Sequence, residues 1–122
     1  MLSDGELWDR VRALEGQIVH TLERQRPNTV SRVTDEAVEI EGRATKPTRE
    51  DILRVYHHLH TRRQITGDDL YGDGSILGHP YARKTGRIIL AILARAVPEE
   101  VHVVARDRTQ RLSGIKLKAR TV

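Results

Sequence analysis

The sequence predicts one α+β domain over residues 1–122, and three observations carry that expectation. Stretches with apolar residues at helical spacing stand beside short runs rich in Val, Ile and Thr. Gly, Pro and Asp/Asn clusters fall between these stretches, where turns are needed. At 122 residues the chain has the length of one modest core. The expected layout is an N-terminal helix with a small antiparallel β-meander (residues 1–43), packed on a helical half that ends in a β-hairpin (residues 48–119).

Ser3 followed by Glu6 has capping-box spacing, and Leu7, Val11 and Leu14 then recur on one face. This predicts a first helix over about 4–15, stopped by Gly16. "QIVHTLE", "NTVSRV" and "AVEIEG", separated by "RQRP" and "TDE", predict three short strands over 17–43. Alternation puts Ile18, His20 and Leu22 on one face and Val19 and Thr21 on the other, and leaves open which face turns inward. "GRATKP" reads as a linker. Thr48 is the expected N-cap, with Asp51 at N3, of a helix over about 49–63. "ITGDDLYGDGSILGHP" is a loop holding one helical turn at Gly67–Tyr71. Pro80 fits the first position of a long helix to about Ala96, which Pro98 and two glutamates end. "VHVVARDRTQRLSGIKLKA" reads as strand, polar turn, strand.

The core must be aliphatic, because Trp8, Tyr56, Tyr71 and Tyr81 are the whole aromatic complement. No run approaches the roughly 18 apolar residues of a membrane span, and the N-terminus lacks the order of a signal peptide. A cytoplasmic location is expected. With no Cys, thiolate metal sites and Cys nucleophiles are excluded. Charge is unevenly placed. Residues 1–100 hold 15 Lys/Arg against 16 Asp/Glu, whereas residues 101–122 hold six cations against Asp107 alone. The basic end comprises Arg106, Arg108, Arg111, Lys116, Lys118 and Arg120, with a second focus at Arg83, Lys84 and Arg87. A local basic patch points to anionic partners more directly than a global charge does.

"VYHHLHTRR" places three of six histidines within four residues. Winding at about 100° per residue sets Ile52, Val55, Tyr56, Leu59 and Arg63 in one buried stripe. His57 then lies on the outer face with Glu50, Arg54 and Thr61, and His60 at its edge. Only His57 and His60 are close enough in angle to share a ligand, and the spacing of a metalloprotease helix is missing. No metal is expected here, and Glu50 with Arg54 forms a helical ion pair. The aspartates 68, 69 and 73 fail as a calcium loop, since Tyr71 and Pro80 would occupy ligand positions; they suit turns and caps. No phosphate-binding glycine motif or nucleophile elbow occurs. Glu39 and Glu41 share a strand face, which a hydrated sheet edge explains as well as a nuclease site. No catalytic residue and no cofactor are assigned.

From Thr48 onward the order is helix, short extended "QIT", one-turn helix, longer helix, hairpin. Over about residues 48–119 this order resembles the winged helix–turn–helix family. The resemblance implies a third helix in the major groove and a hairpin wing on phosphates or the minor groove. Carried over, Arg83, Lys84 and Arg87 would stand at the start of the third helix. Arg106, Arg108 and Arg111 would lie on the wing, with Lys116 and Lys118 on its return strand. One departure is plain: "IILAILARA" is apolar nearly all round, as a core helix is, so only the first two turns could meet DNA. Scarce aromatics argue against single-strand readers. Residues 7–41 also resemble uncharacterised prokaryotic modules found beside restriction enzymes, through Trp8, Gly16, Thr21, Pro27, Val33 and Thr34.

The expectation is therefore a non-enzymatic prokaryotic protein that binds double-stranded DNA or accompanies a DNA-processing complex. The alternatives are a protein-interaction module, as a subunit or inhibitor of a larger nuclease, and a small metal-dependent hydrolase.

Overall fold

Ser3 and Glu6 cap each other. In the computed structural model, which describes residues 1–44, 46–70, 83–104 and 114–118, the Glu6 amide donates to the Ser3 hydroxyl at 3.2 Å. The Ser3 amide donates in return to Glu6 Oε1 at 3.1 Å. The box opens α1 (Asp4–Arg12). Bonds from the Ser3 amide and hydroxyl also hold the Glu6 carboxyl below the usual carboxylate range. The helix is shorter than expected because residues after Arg12 tighten into turns, with the Leu14 amide donating to the Val11 carbonyl at 3.0 Å. Gly16 follows at φ +81°, a conformation that favours glycine. Its N–H donates to the Val30 carbonyl at 2.7 Å, tying the end of α1 to the sheet.

The meander is β1 (Ile18–His20), β2 (Pro27–Val33) and β3 (Val38–Ile40), antiparallel and in that order. The inward face of β1 is the one bearing Val19, which is 2% exposed, while Ile18 is 47% exposed. Packing of β1 against the long fourth helix decides this. The expected strand "QIVHTLE" ends at His20 because Thr21 begins a turn. The Thr21 amide donates to the Arg26 carbonyl at 3.0 Å, and its hydroxyl accepts the Arg26 N–H at 3.0 Å. Thr34 closes the next turn, accepting the amides of Glu36 and Ala37 at 3.2 and 3.1 Å. Part of the expected linker is stitched to the outer edge of β3: the Val38 N–H donates to the Pro47 carbonyl at 2.8 Å.

Helix α2 (Arg49–Arg62) starts at Thr48, whose hydroxyl accepts the Asp51 amide at 3.1 Å. Ile52, Val55, Tyr56 and Leu59 are buried, as the helical wheel requires. Arg63 departs from that stripe and is exposed. It takes a left-handed φ of 72° as the helix cap, and beyond the cap the wheel no longer applies.

The chain continues through β4 (Gln64–Thr66) and the single turn α3 (Gly67–Leu70). Asp69 caps that turn, accepting the Thr66 amide at 2.9 Å. Asp73 and the expected helix start at Pro80 lie outside the described residues.

Helix α4 (Arg83–Ala96) is the centre of the core. Ile88 to Leu93 are six consecutive buried residues, which a one-sided helix cannot have. The helix packs against α1, β1, α2, α3 and the two final strands, β5 (Val101–Val104) and β6 (Gly114–Leu117). These strands form a second antiparallel sheet in the order β4-β6-β5, with the last strand in the middle.

Leu7, Trp8 and Val30 from the first part share one apolar cluster with Ile65, Leu93 and Ile115 from the second. Arg10 adds a tie between them, donating to the Ala96 carbonyl at 3.2 Å and pairing with Glu99. The architecture is α+β: helices with two small antiparallel sheets. Among the described residues, no helix is long and apolar enough to cross a membrane.

Candidate nucleic-acid interface

The second sheet positions the basic residues that the structure describes. In β6, Ile115 and Leu117 point into the core, so Lys116 between them must face out. Lys116 stands opposite Gln64 of β4 on one side and His102 of β5 on the other. One row, Gln64–Lys116–His102, therefore crosses the sheet on its outward face, and Lys116 and His102 are both exposed. Lys118, one residue past the strand, is exposed too, and its amide donates to the Glu100 carbonyl at 2.8 Å. Arg63 is held beside the same end of the sheet, its carbonyl accepting the Leu117 amide at 2.9 Å.

Among the described residues, none of Arg63, His102, Lys116 and Lys118 has an acidic partner. Three carboxylates on adjoining segments are otherwise engaged. Asp69 holds Arg62 at 3.1 Å and Glu99 holds Arg10. Glu100 accepts from the Tyr56 hydroxyl at 2.9 Å and lies 2.9 Å from His60 Nε2.

Of the other expected contact residues, Arg106, Arg108 and Arg111 lie outside the described residues, on the segment joining β5 to β6. Arg83 and Lys84 fall in the first turn of α4 with side chains outside the description, and Arg87 is half-buried. The groove-entering role of the third helix meets a steric obstacle. Over residues 85–96 the helix is covered by α1 and β1 as well as by its own half of the chain. Arg95, its exposed cation, donates to Gln17 at 3.2 Å.

The histidines go separate ways. His57 Nε2 lies 2.7 Å from Asp4 Oδ1, joining α2 to the start of α1. His60 meets Glu100 and stands edge-on to the Tyr56 ring, centroids 4.7 Å apart. Tyr56 also accepts the Leu2 amide at 2.8 Å. Burial first, then the hydrogen bond to Glu100, push the Tyr56 hydroxyl up to about 12. These contacts fasten the N-terminus to α2 and the end of α4. Among the described residues, no three His, Asp or Glu side chains gather to hold a metal ion. Glu39 holds Arg32 at 3.1 Å and Lys46 at 3.3 Å, which makes it part of an ion-paired strand edge.

The residues behind the N-terminal resemblance have structural tasks. The Trp8 indole N–H donates to the Thr34 carbonyl at 3.0 Å, and the Arg49 guanidinium lies 5.4 Å from its ring centre. Gly16, Thr21 and Thr34 make the turns described above.

Sequence reading missed Arg63 and His102 as members of the basic face. His102 was accessible through the alternation of "VHVV", which sends it opposite to the buried Val101. Arg63 was hidden by the assumption that the helix continued through it. No protein-family model matches the chain, and no curated protein or solved structure matches it either.

Proposed function

We propose that this protein binds double-stranded DNA without enzymatic activity, in the cytoplasm of a prokaryotic cell, and that its C-terminal half is a winged-helix-like module. The observation that carries the reading is the topology around β6. Helix, strand, helix, helix, strand and strand follow in order, the last strand lies between the other two, and it turns Lys116 outward. Lys116 lies on the strand that returns from the segment with Arg106, Arg108 and Arg111, and Lys118 one residue beyond it. Attachment on this reading is by the hairpin, with Arg83, Lys84 and Arg87 as an accessory focus at the start of α4. Such contacts to phosphate give affinity and register and carry no sequence code of their own.

The test is fluorescence anisotropy of a labelled mixed-sequence duplex at low and near-physiological salt. Five phosphate contacts would give a log–log salt slope of roughly −4.5. Absence of binding at low salt would remove the reading.

One observation favours a second reading, a subunit or inhibitor of a larger complex. Strand β5 is an edge strand, and its Val103 is 51% exposed. An edge with unpaired backbone groups can accept a strand from a partner protein. Retention of a partner by the wild-type chain, lost on Val103→Lys with DNA binding absent throughout, would favour it.

A further inference from the structure

We infer that the outward face of the β4-β6-β5 sheet is itself a docking surface for the phosphate backbone of duplex DNA, with Arg63 and His102 joining Lys116 and Lys118 in the contact. The inference rests on the DNA-binding reading above and says where on the fold the duplex lies: across the sheet, with α4 kept out of the groove.

Position supplies the first argument. Lys116 and His102 are direct cross-strand neighbours, which sets them about 5 Å apart across the sheet. Lys116 and Lys118 are two residues apart along the chain, about 7 Å if the extended path continues. Arg63 is pinned at the same end through its carbonyl bond to Leu117. Lys116 and His102 therefore share the outward face of the sheet, with the exposed Lys118 and Arg63 at its end, and Arg106, Arg108 and Arg111 stand in the sequence between β5 and β6.

Charge supplies the second. A cationic strip beside available carboxylates would be satisfied internally and would gain little from a polyanion. Here Glu99 and Glu100 are committed to Arg10 and to Tyr56 with His60, and Asp69 to Arg62. Arg63, Lys116 and Lys118 form no ion pair among the described residues, and a duplex, with one charge per roughly 1.7 Å of axis, supplies a matching density.

The third argument is exclusion. The third helix is the usual reading element in a winged-helix arrangement. Here Ile88 to Leu93 are buried without a break, and α1 and β1 lie against the helix. A duplex cannot reach that helix over residues 85–96 without displacing the N-terminal part of the core. The sheet face needs no rearrangement.

The test compares salt slopes of duplex binding for three forms of the full chain. One is wild type, one carries Arg63→Asn, Lys116→Gln and Lys118→Gln, and one carries Arg24→Gln and Arg26→Gln in the β1–β2 turn. Asn at 63 keeps the left-handed cap accessible. The sheet variant is expected to lose about 2.7 from the magnitude of the slope, at about 0.9 per contact, and at least tenfold in affinity at near-physiological salt. The turn variant should keep the wild-type slope. If wild type fails to bind, the DNA-binding reading falls and this inference with it. If wild type binds and the sheet variant keeps its slope, the surface is wrong while the reading stands. An equal loss per charge in the turn variant would also overturn the surface, since bulk charge would then be responsible. Fluorescence of the sole tryptophan, Trp8, checks folding. Should the triple variant be unfolded, Lys116→Gln with Lys118→Gln alone is expected to lose about 1.8, and an unchanged slope there overturns the proposal.

Discussion

Replacing Gly114 by Ala should destabilise the protein, although the same change at most strand positions would help it. Glycine inside a strand costs about 0.5–1 kcal/mol relative to alanine, and Gly114 is not among the glycines with left-handed φ. Backbone freedom therefore gives no reason to keep it, and the reason is space. A Cβ built there would stand 2.7 Å from Thr66 Cα and 2.9 Å from the Ile65 carbonyl carbon, and closer still to the Ile65 carbonyl oxygen. All three atoms belong to the backbone of β4, so no side chain can swing aside. Strand β4 must move by about 1 Å or part from β6, and Ile65 and Ile115, paired across this junction, are fully buried. Overpacking of this kind costs about 1–3 kcal/mol, and each ladder hydrogen bond lost adds about 1 kcal/mol. A loss of about 2–4 kcal/mol is expected. At a urea m-value of about 2 kcal/mol per M, the midpoint should fall by roughly 1–2 M. Urea unfolding read by Trp8 fluorescence and by far-ultraviolet circular dichroism measures this. Gly5→Ala is the paired control: it lies in α1 with nothing within 4 Å of its added Cβ, and should gain about 0.5–1 kcal/mol. A neutral or raised midpoint for Gly114→Ala would refute the steric argument.

Tyr56→Phe removes the hydroxyl shared by the Leu2 amide and Glu100 and should cost about 1–3 kcal/mol by urea unfolding near neutral pH; a change under about 0.5 kcal/mol would contradict the role given to this cluster. Because the Tyr56 hydroxyl is raised to about 12 from 10.0, the folded chain keeps a proton there that the unfolded chain releases. That contribution is fully present below about pH 10 and is lost as pH rises toward about 12. Near-ultraviolet titration should accordingly show a late phenol in wild type that vanishes in Tyr56→Phe, and identical late phases in both would count against it. Thr48→Ala removes the cap of α2 and should lower stability by about 1 kcal/mol; an unchanged denaturation midpoint would contradict the capping role of the hydroxyl.

Much of the fold was legible because its signals are local. The box at Ser3 and Glu6, the cap at Thr48, the turn at Thr34 and the stripe Ile52–Val55–Tyr56–Leu59 all involve residues within a few positions of one another. Local periodicity and hydrogen bonding dictate such features. The all-round apolar run in α4 likewise announced a core helix. The basic end was legible as composition, but its arrangement on a surface was not. Register between β4, β5 and β6 joins residues about 50 positions apart for Gln64 and Lys116, and only that register brings His102 and Lys116 side by side.

The sequence by itself determined the class of fold, the starts of α1 and α2 and the uneven charge, since each depends on neighbours along the chain. Tertiary structure decided which face of β1 turns inward, because Val19 and Ile18 differ only in what packs against them. It decided that His57 and His60 answer to Asp4 and Glu100, 53 and 40 residues away. It decided that Gly114 must lack a side chain, because β4 passes there. Each of these is a contact between distant segments, fixed by the closure of one shared core around α4.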